Sequence, residues 1–286
     1  MKNVLTTFMI VATLIFVAAP AIADWNPGDS HKMHYPQLPD PQGWDVNFSS
    51  YPDFNILADD WRCTQSGPVE DVHFWFSVQG EPMYPPEMKV EIGNIHVSIH
   101  DDVPAGLLAP WSMPGQQRWE IGVPGPEATI RRVGNGDQGW YDPFEGYFNP
   151  PPDHFNIYQA NIDFARMGIP PDMMFQQEVG NIYWLDLSVD AFGIVDPPDG
   201  TGDPEVYQLQ VGWKTSQDHF NDAAVYLDTT GAAPQWLPLY DPSGAGGQEH
   251  LDMAFVITPE PSTLVMTAAG LLGLAGFAAW RRRKKA

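Results

Sequence analysis

The chain has 286 residues, with 36 Asp and Glu against 14 Lys and Arg, 11 Trp, ten Tyr and a single cysteine. Lys2 and the five basic residues at the C-terminus hold six of the positive charges, so Asp24 to Glu260 carries eight against 36, a net of −28. That balance excludes nucleic acid, since no basic groove is left to release phosphate counterions, and it admits anionic lipid or acidic polysaccharide only through bridging cations; one cysteine excludes an internal disulfide.

The chain opens with Lys2, an apolar stretch from Val4 to Ala19 and the small-residue site Ala21-Ile22-Ala23. This is the pattern of a signal peptide, 1–23, cut by signal peptidase before Asp24. Residues 24–54 are rich in proline ("HYPQLPDPQGW") and poor in alternation. They predict an N-terminal arm, either laid along the domain that follows or leading flexibly into it.

From 55 to 258 the pattern is that of strands. In "VEDVHFWFSV" the residues Val72, Phe74, Phe76 and Val78 share one face, and His73, Trp75 and Ser77 the other. In "VEIGNIHVSIH" Ile95, Val97 and Ile99 oppose His96, Ser98 and His100. Such alternation marks β-strands with a buried face. "RWEIGV", "ATIRRV", "FNIYQANIDFA", "NIYWLDLSVDAF", "VYQLQVGWKT", "AAVYLD" and "LDMAFVIT" are further strands, separated by turns such as "EPMYPP", "NPPPD" and "DPPDGTGD". No helical apolar stripe of useful length interrupts them. The expectation is one all-β domain, a β-sandwich with jelly-roll-like crossing, its strand order left open.

Catalytic motifs are missing: there is no G-x-S-x-G, H-E-x-x-H or Gly-rich phosphate loop. Pairs such as Asp59-Asp60, Asp101-Asp102 and Asp218 with Asp222 arise by chance among 36 acidic residues, and a glycosidase pair is defined by distance through space. A protein without enzymatic activity is therefore expected, with a polysaccharide hydrolase as the alternative. Cys63, in an apolar-flanked run, reads as a buried and inert thiol. His96 and His100 share a face, but four residues of strand separate them by about 13 Å, too far to chelate one ion together.

Calcium is the better metal expectation. Asn135, Asp137 and Asp142 in "NGDQGWYD", and Asp196, Asp199 and Asp203 in "DPPDGTGD", offer hard oxygen ligands, although the same residue types also simply form turns. The abundance of aromatics suggests sugar stacking, with Trp111, Trp119, Trp140, Tyr141 and Tyr147 as candidates; half-burial in strands is the competing explanation. "GWKTSQDHFND" is a dense polar stretch around Lys214 in which Asn221 and Asp222 are suited to hold a turn while Trp213 and Phe220 anchor it.

The chain ends "TPEPSTLVMTAAGLLGLAGFAAWRRRKKA". Ser262 to Trp280 carries no charge and is long enough to span a membrane as a helix. Arg281, Arg282 and Arg283, with Lys284 and Lys285, hold that end in the cytoplasm, leaving the preceding domain outside. Pro259-Glu260-Pro261, an uncharged span and a basic cluster, in this order, resemble the PEP-CTERM sorting signal, about the last tenth of the chain. The resemblance implies processing by an exosortase-type enzyme, transient anchoring in the inner membrane and delivery to the cell surface or extracellular matrix, often beside exopolysaccharide.

Four blocks, "NILADDWRCTQSGPVEDVHFWFS", "VGNIYWLDLSV", "VGWKTSQDHFNDAAVY" and "LDMAFVIT", are similar to an uncharacterised domain that recurs in secreted bacterial proteins. That likeness implies fold and location and brings no activity. The expected function is a surface or matrix protein that binds exopolysaccharide, with a protein–protein scaffold as a further alternative. A scaffold would show an exposed apolar patch or a long unprotected sheet edge.

Overall fold

The computed structural model describes residues 25–85, 87–197, 202–244 and 249–258. The expected signal peptide, Pro259-Glu260-Pro261, the span 262–280, the basic cluster and Asp199 lie outside the described residues. Among the described residues sixteen strands follow in chain order: β1 Trp44–Asn47, β2 Leu57–Arg62, β3 Gly67–Pro68, β4 Asp71–Val78, β5 Lys89–Val103, β6 Met113–Pro124, β7 Ala128–Asp142 and β8 Tyr147–Asp163. Then come β9 Gln176–Gln177, β10 Ile182–Val195, β11 Glu205–Leu209, β12 Val211–Ser216, β13 Val225–Asp228, β14 Gln235–Pro238, β15 Asp252–Met253 and β16 Phe255–Thr258.

Two sheets carry the domain, in the orders β15-β12-β1-β7-β8-β4-β16 and β14-β13-β2-β10-β5-β6, with β11 added to β10. The first curls until β12 also pairs with β4, so β12, β1, β7, β8 and β4 form a closed ring. Their inner faces share one core. Val46, Phe74, Phe76 and Trp213 of the first sheet belong to the same buried cluster as Leu57, Ile95, Leu185 and Leu187 of the second. Each such side chain contributes roughly 1.5–3 kcal/mol on burial, which explains how an exported domain does without disulfides.

Three sequence expectations change. Within 24–54, Trp44–Asn47 is no arm but a buried strand, antiparallel to β12 and parallel to β7. Four residues, all buried, are too few to show an alternation. Residues 25–39 do lie along the domain, with bridges from Met33 to Cys63, Gln37 to Phe255 and Pro39 to Ser216. They cover the outer face of β4, where Trp75 meets Trp25 edge-on at 6.0 Å. His73, expected to face solvent, is buried there between Asn161 and Thr258, and burial holds its pKa down to about 4. "NPPPD" is not a turn but lies inside β8. Gln138 pairs with His154 and Trp140 with Asn149, so residues 150–153 bulge opposite Gly139, where no proline must donate to a ladder.

Candidate functional site

The sequence places its polar residues in two kinds of setting. The first is an open cleft of about 620 Å³ where the ends of β1, β7 and β13 meet the segment before β12; Trp140, Asp142, Glu145, Tyr147, Asp53 and Asp228 are among its walls. The β7–β8 hairpin builds one wall. Its turn is Pro143 to Gly146, and Gly146, at φ 64°, takes a left-handed conformation that suits glycine. Asp142 organises the turn: its Oδ1 accepts from the backbone N–H of Phe144 (3.0 Å) and Glu145 (3.2 Å), and its Oδ2 from Asn47 Nδ2 (2.6 Å).

Tyr147 leaves the turn opposite Asp142 with 48% of its surface exposed. Phe144 is fixed edge-on against Tyr226 at 5.3 Å. Across the cleft, Asp228 Oδ1 accepts from the backbone N–H (2.8 Å) and hydroxyl (2.7 Å) of Thr230, which hold its pKa below the usual carboxylate value. Amides of Asn55, Gln79 and Gln210 complete a polar lining. An exposed ring edged by carboxylates and amides is the chemistry that meets a sugar: stacking on the ring face and hydrogen bonds to hydroxyls.

The other aromatic candidates sit elsewhere. Trp140 lines the same cleft yet is only 1% exposed, packed edge-on to His154. Tyr141 is half-buried, and burial, with Tyr226 and Asp142 nearby, raises its pKa to about 12. Trp111 spends its indole N–H on Trp236 O (3.1 Å) and packs on Ala58, Trp184 and Val225. Trp119 donates to Met173 O (2.9 Å) and packs on Phe164. Of the five, Tyr147 alone is exposed.

The described calcium candidates lie on β7 and in the segment between β10 and β11. Asn135 to Asp142 is strand rather than loop, with Asn135 and Asp137 exposed upon it. Asp196 pairs with Lys89, and Asp203 is exposed. Among the described residues, no three His, Cys, Asp or Glu side chains are arranged to hold a metal ion.

The second setting is sealed. "LADDW", "DHFND" and "LDM" come together at Asp59, Asp60 and Asp252, none more than 1% exposed. Asp59 faces the core, where its Oδ2 accepts from Met253 N (2.6 Å) and Gln37 Nε2 (2.8 Å). Burial, with Asp252 and Asp60 beside it, holds its carboxyl well above the usual range. Asp60 accepts from Asn221 Nδ2 (2.7 Å), which opposes without cancelling the effect of burial. Asn221 stands at φ 60°, a strained turn position expected of this stretch, and Asp222 caps Ser112 N (2.8 Å). Phe220 lies against His34, with Arg62 over its ring. The Cys63 thiol is buried too, and burial raises its pKa.

His96 and His100 meet in a way their spacing concealed. Asp186, on the neighbouring β10 and opposite Ser98, stands between them. His96 Nε2 lies 3.4 Å from one of its oxygens and His100 Nε2 2.8 Å from the other. Burial alone would raise the Asp186 pKa; the two imidazoles override it and hold it at about 2.

Residues 33–258 match the family model described as a domain of unknown function, DUF7901. The chain belongs to the DUF7901 family. Residues 258–284 match the PEP-CTERM protein-sorting motif. The DUF7901 chain is thus an exported protein sorted by an exosortase-type enzyme toward the cell surface or extracellular space. No curated protein and no solved structure matches it.

Proposed function

We propose that this DUF7901 protein is a non-enzymatic surface or matrix component that binds neutral exopolysaccharide in the cleft beside Tyr147. Signal peptidase and the exosortase process its two ends, and between those cuts the C-terminal span tethers it to the inner membrane with the basic cluster in the cytoplasm. The observation that carries the reading is the exposed Tyr147 ring in a cleft edged by Asp53, Glu145 and Asp228. Its acidic rim disfavours a polyanion. The hydrolase alternative needs two close, perturbed carboxylates that a polymer can reach. Among the described residues the pair raised well above the usual range, Asp59 and Asp60, is fully buried, which supports the binder instead.

The test is capture of the full chain on the producing cell's own extracellular polysaccharide, in calcium and in chelator. Retention in both is expected. Retention only in calcium would replace the neutral glycan with a cation-bridged acidic one, and no retention would end the glycan reading.

A scaffold reading has one specific observation in its favour. β6 is a twelve-residue edge strand, paired on one side only, with Gln116 to Arg118 exposed. The ends of the two sheet orders other than β6 are blunted: β14 is four residues ending in Pro238, β15 is two, and residues 32–37 lie across β16, while β11 is an edge of only five residues. An added strand would occupy β6.

A further inference from the structure

Lys214 has no exposed side-chain surface, and neither has its partner Asp45. The two face each other as cross-strand neighbours of β12 and β1, with Nζ 2.9 Å from Oδ2. Nζ also reaches Gly43 O (3.0 Å) and Trp44 O (3.4 Å). His154, likewise without exposed side-chain surface, places Nε2 2.9 Å from the same Asp45 Oδ2. Its Nδ1 is held 2.8 Å from Asp153 Oδ2, and Asp153 is fixed by Asn149 Nδ2 (2.6 Å) and Gly80 N (3.1 Å). Among the described residues, Asp45 Oδ1 has no hydrogen-bond partner.

A structural ion pair needs only the lysine and the aspartate. Here there is also a histidine, itself oriented by a second carboxylate, on the oxygen that would have to leave if the pair condensed. We propose that Lys214 and Asp45 join through an isopeptide bond, with His154 as the proton carrier.

The step balances without a co-reactant. The Lys214 ammonium gives up a proton, and the neutral amine keeps two N–H bonds toward Gly43 O and Trp44 O while its lone pair faces the Asp45 carboxyl. His154 protonates Oδ2, Nζ attacks Cγ, and the N–Cγ bond forms as the Cγ–Oδ2 bond breaks. The amine's second proton leaves with Oδ2 as water, and His154 recovers its proton from the one the ammonium released. Ammonium and carboxylate thus become one amide and one water, with no change of oxidation state.

The surroundings favour each part. A dry interior penalises a charged amine and so favours the neutral form that attacks. Burial accordingly lowers the Lys214 pKa, although Asp45 opposes it. Burial works against a charged His154 too, but the Asp45 charge and the hydrogen bonds that the ring donates to Asp153 and Asp45 raise its pKa to about 9, so it carries the proton to donate. Holding amine and carboxyl in contact replaces a bimolecular encounter. The bond would close a loop of 169 residues, a covalent staple in a chain whose one cysteine cannot form a disulfide.

Peptide mapping of the full chain after denaturing tryptic digestion reads the result directly. The expected product is one species joining the peptide with Asp45 to the peptide with Lys214, lighter than their sum by one water, with no cut after Lys214. Lys214→Met abolishes it. His154→Gln, which leaves both reacting groups in place, slows its appearance roughly a hundredfold or more. Wild-type protein kept folded and yielding two separate peptides, cut after Lys214, would overturn the proposal whatever the variants do.

Discussion

The cleft at Tyr147 and the carboxylate cluster at Asp59 are both rich in acid, yet physically they are opposites. In the cleft, Asp142 and Asp228 are satisfied by turn amides and hydroxyls, and the ring beside them meets water. In the cluster, Asp59, Asp60 and Asp252 are withdrawn from water into the packing of two sheets. Acidic residues alone therefore do not mark a ligand site here. The segments with "LADDW", "DHFND" and "LDM" converge on the sealed cluster and hold the fold together, whereas the surface proposed to meet a partner is built mainly from the hairpin turn outside them.

The sharpest way to break this contrast is to damage the core. Trp213, fully buried between Phe48, Phe74 and Phe255, is expected to cost about 3–5 kcal/mol as Trp213→Ala, read by urea unfolding. A cost under about 1 kcal/mol would mean that the two sheets do not share that core.

The cluster should speak through pH. A carboxyl whose folded pKa lies above its unfolded value near ~4 gives stability that is full in acid and lost as pH rises through the folded pKa. Unfolding free energy measured from mildly acid to mildly alkaline pH should carry that downward slope, and Asp59→Asn should flatten it. A slope unchanged by the substitution would remove Asp59 from the account. His73 acts in the opposite sense. Its folded pKa of about 4 lies below the unfolded ~6.5, so its contribution is present above ~6.5 and lost as pH falls through about 4. His73→Gln should therefore lessen the acid-side loss.

The smallest effect is expected in the cleft. Tyr147→Ala should leave the unfolding midpoint in place while weakening polysaccharide binding roughly tenfold, about 1.4 kcal/mol. A stability loss without a change in binding would reverse the roles assigned to the two regions.

Strand faces were legible because a period of two shows in any long strand: Val72, Phe74, Phe76 and Val78, and Ile95, Val97 and Ile99, join the shared core as their pattern requires. Trp44–Asn47 was not, being short and buried on every side. Nor were the prolines inside β8, since a bulge is set by the partner strand's register. Tyr147 was legible as a candidate because it flanks a Gly turn. Trp140 looked equivalent, but residue type does not reveal depth. The meetings of His96 with His100 over Asp186, and of Lys214 with Asp45 and His154, depend on which strands pair, and that is settled only in three dimensions.

The most direct test of the central claim is amide hydrogen exchange of the full chain with and without oligosaccharides cut from that polysaccharide. Slower exchange confined to 142–147 and 228–230 is the expected result. Protection along 113–124 with none in the cleft would contradict the account and point to β6 as the working surface.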